Sequence, residues 1–478
     1  MATSETKLDT SQPEVIEKEA GLARQLSQRQ LAMLATGGAI GTGLFLGSSF
    51  AVRAAGPSVI VTYLLGALVG LLLMGALAEM AAVHPSAGSF GLFAEIYLSR
   101  WAGFVSRYTF WAASCIAIGG EAVAVGIYCR FWLPGVPGWI WVVGCSSAVV
   151  LVNALSVAQF GEFEYWFSTI KVVAIVLFIV FGASLLMGLN HSPAQTSNYT
   201  AHSGFFPKGF GGTWVAIVFV IYSYIGTEAV AVSAGEARDP RHTVPRAMRS
   251  MVLRLIALYV GAVAVLVGVV AWDQIQPGSD VKASPFVTVF TLVGVPAAAH
   301  IINFVVLTAA LSSMNCNLYV VSRLMFSLSR GGYAPAALGR IRPNGIPLNA
   351  LLASSAGLAV AIFIAVFAPE RAYAYLFGIA LFGGLFAWLI IFVTHLAFRR
   401  TWTRDDRGPL PFKMIGYPFT SILGVALMLS IMATEWWAEG MRIALIAGLP
   451  WIALISLAYY AHSVVQRRRL RNTRGSLS

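Results

Sequence analysis

Apolar segments close to the length of a membrane-spanning helix recur along almost the whole chain. Such a helix needs about 20 mostly apolar residues to cross the hydrocarbon core of a bilayer. Charged residues make up only 11% of the 478 positions, whereas an average soluble domain carries about 25%. We therefore predict an all-α polytopic membrane protein with twelve transmembrane helices, because backbone inside a bilayer must satisfy its own hydrogen bonds. The twelve predicted helices cover approximately residues 31–54, 58–83, 101–131, 138–157, 163–187, 213–234, 247–272, 296–327, 347–368, 372–398, 416–437 and 440–465.

The positions of lysine and arginine predict the orientation of the chain. The formal net charge is +12, from 32 basic and 20 acidic residues. If the N-terminus lies in the cytoplasm, most of the basic residues fall in the two termini and in the connections on that side. The positive-inside rule then places both termini in the cytoplasm, as an even number of helices requires. Topology and some attraction to anionic membrane lipids thus explain the basic excess, without a nucleic-acid partner.

The loops are short, so we predict one membrane domain without a soluble module. Residues 1–30 are expected to form a cytoplasmic N-terminal segment, residues 31–465 the transmembrane domain and residues 466–478 a basic cytoplasmic tail. The first thirty residues are polar and carry charges of both signs, which is not the pattern of a cleaved signal peptide. The first helix is therefore expected to direct insertion of the chain into the membrane.

The first predicted helix contains an unusual cluster of glycines. The segment 37–47 reads GGAIGTGLFLG, and each glycine costs a helix about 1 kcal/mol relative to alanine. The triplet Ile40-Gly41-Thr42 in this helix has a counterpart, Ile225-Gly226-Thr227, in the sixth predicted helix. An offset of five helices inverts the membrane orientation of the second unit. Paired interruptions at corresponding positions are typical of transporters built from inverted repeats.

Two interrupted helices offer free backbone groups in the middle of the membrane. Free N–H groups at a helix start can bind an anion, and free carbonyl groups can bind a cation or an ammonium group. A zwitterion such as an α-amino acid carries both charges close together and suits such a site. The alternative is that the glycines only let helices pack closely, as in the pairs Gly37–Gly41 and Gly43–Gly47.

Several long motifs resemble those of the bacterial amino acid permeases. This is the amino acid transporter family of the amino acid–polyamine–organocation superfamily, and the resemblance is to its γ-aminobutyric acid, aromatic and lysine permeases. It runs from about Leu26 to Arg469. The motifs are GGAIGTGLFLGSSFAVRAAGPS at 37–58, ALAEMAAVHPSAGSF at 76–90, FGEFEYWFSTIKVVAI at 160–175, SAGEARDPRHTVPRA at 233–247 and NFVVLTAALSSMNCNLYVVSRLMFSLSR at 303–330.

The resemblance implies a fold and an activity. The implied fold is of the LeuT type, with two inverted five-helix repeats at about 31–187 and 213–398, followed by helices 11 and 12 at about 416–465. The implied activity is secondary active import of amino acids by proton symport and alternating access, across the cytoplasmic (inner) membrane. The proton is the coupling ion, and we expect no metal and no other cofactor.

The resemblance also implies a substrate site at the two interrupted helices. The substrate carboxylate is expected to meet backbone of the first helix, and the α-ammonium is expected to meet carbonyl groups of both helices. Tyr224 occupies the aromatic position that covers the site from outside in such transporters. Ile225 is bulkier than the residue common in relatives and is expected to narrow the pocket. The backbone positions implied are Ala39, Ile40, Gly41, Thr42 and Gly43 in the first helix, with Ser223, Tyr224, Ile225, Gly226 and Thr227 in the sixth.

Lys171 is the main candidate for proton coupling. It lies about eight residues into the fifth predicted helix, or about 12 Å along it. Burial disfavours the charged form of an amine, so such a lysine can release and regain a proton. By resemblance, the amine stands where sodium-coupled relatives bind their ion, with Ser312 and Ser313 as neighbours. The alternative is a permanently charged lysine paired with a carboxylate for packing.

Two carboxylates inside predicted helices are further candidates. Glu121, in the motif GEAVAVG, is expected to border the substrate side chain or to be a second proton site. Glu228 begins the second half of the sixth helix, where the helix dipole favours a carboxylate. It is a candidate for proton coupling. Purely structural roles, a hydrogen-bonded carboxyl for Glu121 and a helix cap for Glu228, remain the alternatives.

Other classes of function lack support in the sequence. No GxxxxGK[ST] phosphate loop, HExxH metal motif or GxSxG nucleophile motif occurs, so we expect no enzyme. An amino acid exchanger is the nearest alternative to a symporter, and a channel or a nutrient sensor is more remote. The expected partners are an amino acid substrate and membrane lipids, with no obligatory protein partner.

Overall fold

The computed structural model describes residues 22, 26–188, 196–237, 239–276, 284–292, 297–359, 363, 369–405 and 408–475. Within this part of the chain the regular structure is helical, apart from an isolated β-bridge between Leu26 and Ala237. Of the predicted terminal segments, residues 1–21, 23–25 and 476–478 lie outside the described part.

The α-helices differ widely in length, from four to 36 residues. In chain order they are α1 (Gln28–Ala39), α2 (Ser48–Ala55), α3 (Val59–Val83), α4 (Ser89–Tyr97), α5 (Arg100–Trp132), α6 (Gly138–Leu155), α7 (Val157–Leu186), α8 (Gly209–Val215), α9 (Ile217–Tyr222), α10 (Ala229–Val232), α11 (Pro240–Val269), α12 (Pro285–Leu292), α13 (Ala298–Arg330), α14 (Leu348–Ser354), α15 (Pro369–Arg404), α16 (Phe419–Thr434) and α17 (Arg442–Gly475).

Eight helical stretches among the described residues are long and apolar enough to cross a membrane. Three shorter apolar stretches, Gly209–Tyr222, Leu348–Ala359 and Phe419–Thr434, accompany them. The prediction of an all-α polytopic membrane protein is confirmed at this level. The count of twelve stays a prediction, in part because the first and sixth predicted helices are divided into pieces too short to span alone. The long stretches are Gly43–Val83, Arg100–Trp132, Gly138–Leu155, Val157–Leu186, His242–Val269, Ala299–Arg330, Tyr375–Arg404 and Arg442–Val464.

The first predicted helix is interrupted where its glycines cluster. α1 begins with a capping box, in which Ser27 Oγ accepts from Gln30 N and Gln30 Oε1 accepts from Ser27 N. It ends at Ala39, and Ile40 leaves the helical region with φ −83° and ψ 86°. A π-helical turn, Gly43–Gly47, then leads into α2. Because glycine has a low helix propensity, little helical stability is lost at this interruption.

The sixth predicted helix is interrupted in a similar way. α9 ends at Tyr222 and α10 begins at Ala229, with residues 223–228 in successive turns. Gly226 adopts φ +104°, a backbone conformation that residues other than glycine rarely adopt. A Cβ atom at this position would lie only 2.5 Å from the carbonyl oxygen of Gly38. The close approach of the two interruptions therefore depends on glycine.

The helices form a buried centre and an apolar outer surface. α5 packs along α13 and α15, α3 packs along α11, and α1 packs along α7. Large apolar side chains on the outer helices are exposed, including Leu177 on α7 and Leu457 on α17 at 61% and 68%. Such extended exposed apolar surfaces are rare on soluble monomers and mark contact with a membrane or a protein.

The start of α1 is fastened to the segment that follows α10. Leu26 N donates to Glu236 O at 3.2 Å, next to the bridge between Leu26 and Ala237. The side chain of Glu236 is itself buried and pairs with Arg323 of α13, with Nε and Oε1 3.0 Å apart. Tyr319 donates to the other carboxylate oxygen at 2.6 Å. These contacts tie the two interrupted helices together at a second place.

Candidate functional site

The two helix interruptions share a hydrogen-bonding partner, Tyr259 of α11. Its hydroxyl oxygen lies 2.9 Å from the carbonyl oxygen of Ala39 and 2.9 Å from that of Ser223. The hydroxyl carries one proton, so it can donate to either carbonyl. Both carbonyls belong to the set predicted to bind an ammonium group, and each keeps a lone pair for a second donor.

The amine of Lys171 lies against the end of α1. Its Nζ donates to Gly37 O at 2.6 Å, to Ile40 O at 2.8 Å and to Ser312 Oγ at 2.8 Å. These three acceptors match the three donors of a lysine ammonium. The side chain is fully buried in the middle of α7, which begins at Val157. α7 begins earlier than the predicted start at residue 163, so Lys171 lies further from the helix start than the eight residues counted from the sequence.

Glu164 is a second buried ionisable side chain next to Lys171. Ser312 Oγ donates to Glu164 Oε1, so one hydroxyl stands between the amine and the carboxylate. Ser168 Oγ also donates to Oε1 at 3.1 Å, and Asn315 Nδ2 donates to Oε2 at 3.2 Å. The carboxylate is thus held by three neutral donors.

Glu121 of α5 contacts the interruption of the first helix directly. Its Oε1 accepts from Thr42 N at 3.4 Å and from Ser313 Oγ at 3.1 Å. A Cβ at Gly41 would lie 2.8 Å from the same oxygen, so glycine is needed for this approach. Glu121 Oε2 is buried and has no hydrogen-bond partner among the described residues. The N–H of Thr42, predicted to lie near the substrate carboxylate, is therefore engaged by a protein carboxylate in this structure.

A cavity lies between the two interruptions and helices α5, α13 and α15. Phe110 and Tyr222 supply aromatic walls, and Ser313 and Asn317 supply polar ones. The remaining lining is dominated by glycine and alanine, which leaves backbone accessible. Of the predicted substrate-binding residues, those that line the cavity are Ala39, Gly41, Gly43, Glu121 and Ile225.

The other predicted substrate residues lie outside this lining. Tyr224 points toward α3, where its hydroxyl donates to Tyr63 O at 2.9 Å. Tyr222 instead lies at the cavity and packs on Phe377, with ring centroids 3.9 Å apart. Tyr222, rather than Tyr224, therefore lines the cavity in this structure. The residues in this second group are Ile40, Thr42, Ser223, Tyr224, Gly226 and Thr227.

Glu228 is engaged with the interruption of the sixth helix. Both of its carboxylate oxygens lie 3.1 Å from Gly226 N, and Trp388 Nε1 donates to Oε2 at 3.1 Å. The side chain is fully buried. The side chain thus binds the N–H of Gly226 in the turn before α10, and it makes no cap hydrogen bond to α10 itself. The role of Glu228 in proton coupling stays a prediction.

Sequence reasoning missed Glu164, Tyr259 and Tyr222. Glu164 precedes Lys171 by seven residues, which places both side chains on one face of a helix two turns apart. This spacing is a signal that could have found it. Tyr259 is a single hydroxyl in an apolar segment, and nothing local distinguishes Tyr222 from Tyr224. Their roles depend on which face of each helix meets the neighbouring helices.

Comparisons with known proteins give one consistent result. The family model "Amino acid permease" matches residues 30–472. A probable threonine/serine transporter of Bacillus subtilis is 36% identical over 458 residues, covering 95% of this chain and 98% of the relative. The γ-aminobutyric acid permease of the same bacterium is 35% identical over 460 residues, covering 95% and 97%. An aromatic amino acid transport protein of Escherichia coli is 34% identical over 440 residues, covering 92% and 95%.

Proposed function

Because this chain belongs to the amino acid permease family, we propose that it imports an amino acid across the cytoplasmic membrane by proton symport and alternating access. The prediction that it is not an enzyme is confirmed, since its relatives are named permeases and transporters. The coupling ion, the direction of transport and the transport cycle are the parts that we propose here.

The observation that carries the proposal is the position of the Lys171 amine. It is bound to two carbonyl oxygens at the C-terminal end of α1, Gly37 O and Ile40 O. The negative end of the helix dipole attracts a cation there. A neutral amine has one donor fewer and no net charge, so it holds this helix end less strongly. Protonation of Lys171 would therefore bias the position of α1, which also lines the cavity.

For the fold, we propose the LeuT type, with two inverted repeats at about 31–187 and 213–398 and helices 11 and 12 at about 416–465. Interruptions at corresponding positions, residues 40–42 and 223–228, support this arrangement. Twelve transmembrane helices with both termini in the cytoplasm follow from it, in agreement with the distribution of basic residues.

The cavity is the proposed substrate site. It is lined by residues of both interruptions, and its polar lining includes Glu121, Ser313 and Asn317. An α-amino acid would present its ammonium group toward the carbonyl groups and the Glu121 carboxylate. The named relatives transport different amino acids, namely threonine or serine, γ-aminobutyric acid and aromatic amino acids. Which amino acid this protein transports must therefore be identified by experiment.

The test uses purified protein in proteoliposomes and an equimolar mixture of radiolabelled L-amino acids. An inward proton gradient should drive accumulation, and a protonophore should abolish it. A sodium gradient alone should have no effect. Uptake that requires internal amino acids and ignores the protonophore would identify an exchanger instead.

A thermal-shift screen against individual amino acids would name the substrate. A ligand that binds only the folded protein stabilises it by RT ln(1 + [L]/Kd), which amounts to about 2.7 kcal/mol at a concentration of 100 Kd. The amino acid that raises the unfolding temperature most should also compete best in the uptake assay.

A further inference from the structure

A chain of hydrogen bonds leads from Lys171 away from the cavity. Lys171 Nζ donates to Ser312 Oγ at 2.8 Å, and Ser312 Oγ donates to Glu164 Oε1. Asn315 Nδ2 donates to the other carboxylate oxygen at 3.2 Å, and Asn153 of α6 donates to Asn315 Oδ1 at 2.8 Å. All five side chains are buried. One hydroxyl group therefore connects a buried amine to a buried carboxylate.

The direction of this chain is set by helix α7. Glu164 precedes Lys171 by seven residues on the same face, which corresponds to about 10 Å along the helix axis. The displacement is toward the N-terminal end of α7, near Val157. In the proposed topology this is the cytoplasmic end. A proton that moves from Lys171 to Glu164 would move toward the side where a symporter must release it.

Other titratable groups face Lys171 from the neighbouring helices. They are Glu121 from α5 and Cys316 from α13, while Tyr259 from α11 faces the adjacent Ala39 carbonyl. Glu121 binds Thr42 N and Ser313 rather than Ser312, and it borders the cavity. Among the described residues, Glu164 is the carboxylate that a single hydroxyl connects to the amine. It is therefore the better placed acceptor.

We propose that Glu164 is the internal proton acceptor of Lys171, with Ser312 as the relay. This inference rests on the proposed proton symport. In the transfer, the lysine ammonium gives one proton to Ser312 Oγ while the Ser312 hydroxyl proton passes to Glu164 Oε1. The ammonium becomes a neutral amine, the carboxylate becomes a carboxylic acid, and the serine is unchanged. One N–H bond is broken and one O–H bond is formed at the ends of the relay.

The transfer removes two buried charges at the same moment. A buried ion pair separated by a hydroxyl carries a desolvation cost that the neutral pair does not. The neutral amine also holds Gly37 O and Ile40 O less strongly. Gly37 also lies close to Glu164, because a Cβ atom at Gly37 would be only 2.7 Å from Glu164 Oε1. The end of α1 thus contacts both members of the relay and responds to the protonation of each.

The test compares two glutamates of one motif, FGEFEYW. Glu164→Gln removes the acceptor, whereas Glu162→Gln changes an exposed glutamate two residues away. Both purified variants are assayed in proteoliposomes with the equimolar mixture of radiolabelled L-amino acids. Glu164→Gln should keep counterflow exchange at equal pH on both sides but lose accumulation driven by a proton gradient, by at least about tenfold. Glu162→Gln should retain both activities, and Glu164→Asp should recover part of the accumulation.

A spectroscopic readout tests the proton transfer itself. Infrared difference spectra on addition of the amino acid mixture should contain the carbonyl stretch of a protonated carboxylic acid. This band should vanish in Glu164→Gln and persist in Glu162→Gln. A purely structural role for Glu164 would not produce the band.

Three results would overturn the relay. They are full proton-driven accumulation in Glu164→Gln, persistence of the infrared band in that variant, and equal loss of counterflow and accumulation in folded protein. Lys171→Met separates the relay from the proposed function. If Lys171→Met loses accumulation while Glu164→Gln keeps it, the result supports proton symport through Lys171 and contradicts the relay to Glu164. If Lys171→Met also keeps proton-driven accumulation, the proposed coupling through Lys171 is contradicted together with the relay.

Discussion

Gly226 and Gly38 touch each other across the interruptions of two helices that are far apart in the sequence. A Cβ atom at Gly226 would lie 2.5 Å from the carbonyl oxygen of Gly38 and 3.5 Å from the Cα of Ala39. The backbone at the end of α1 therefore packs directly on the backbone of the second interruption. The cavity lies beside this contact, so its shape depends on two positions without side chains.

Gly226→Ala is expected to disrupt this contact. The new Cβ meets a carbonyl oxygen, and φ +104° strains any residue other than glycine by about 1–3 kcal/mol. Thermal unfolding of the detergent-purified protein should occur at lower temperature, and amino acid binding should be lost. Gly47→Ala is the control, because its Cβ would make an ordinary 3.8 Å contact with Phe377. Equal stability of the two variants would contradict this account of Gly226.

Gly43→Leu is expected to abolish amino acid binding while the protein stays folded. Gly43 lines the cavity, and its Cβ would already lie 3.0 Å from Tyr222 Cδ1. The rest of the leucine side chain must enter the cavity, where the cost of overpacking is about 1–3 kcal/mol or more. Gly144→Leu on α6 adds the same group where nothing lies within 4 Å, and it should bind normally. Transport by Gly43→Leu at an unchanged rate would show that these glycines serve only helix packing.

Lys171→Met is expected to separate binding from coupling. The variant should keep measurable amino acid binding and counterflow but lose proton-driven accumulation, and residual exchange should become nearly independent of pH. The fold should survive, because Glu164 keeps donors from Ser168 and Asn315 and can take up a proton. Binding and gradient-driven uptake are measured on the same preparation, with Lys208→Met at an exposed site as control.

A purely structural lysine predicts a different result for Lys171→Met. Removing one member of a buried charge pair then costs about 3–5 kcal/mol. Poor expression together with lost binding would favour that alternative. Intact proton-driven accumulation would remove Lys171 from the coupling mechanism.

Glu121→Gln is expected to change selectivity. The Glu121 carboxylate borders the cavity, and its Oε2 lacks a hydrogen-bond partner among the described residues. It is therefore available to a donor group of the substrate. Affinity for amino acids with a distal ammonium or hydrogen-bond donor should fall by about tenfold, equivalent to 1.4 kcal/mol. Affinity for small apolar amino acids should change less.

Competition assays with lysine, serine and alanine would measure this difference in selectivity. A uniform loss across all three would assign Glu121 to structure or to proton handling. Glu162→Gln serves as control for the loss of one negative charge, because Glu162 is exposed on α7.

The interruptions and the buried lysine were predictable because their signals are local. Glycines cluster at the interruption around Gly41, and a single Gly226 marks the second one. A lysine in the middle of an apolar segment, such as Lys171, needs a specific environment. The structure brings Gly41 and Lys171 into one region. Their functions in substrate binding and proton coupling stay predictions.

The side chains that complete this region could not be predicted in the same way. Whether Tyr222 or Tyr224 reaches the cavity depends on the local geometry of the turns after α9. The approach of Tyr259 depends on how α11 packs against α1 and α3. The start of α7 at Val157 could not be predicted for a related reason. Polar residues near the start of a membrane-length helix do not indicate at which residue the helix begins. Such features follow from packing between distant segments.

The bridge between Leu26 and Ala237 has a mechanical consequence. Residues 26–38 and residues 226–237 are in contact at that bridge and again where Gly38 packs against Gly226, so two separate contacts connect the two segments. Two bodies held together at two separated points can rotate relative to each other only about the line through both points. A force that Lys171 exerts on the end of α1 is therefore expected to reach the segment that contains α10, and the two segments are expected to move together except for rotation about that line.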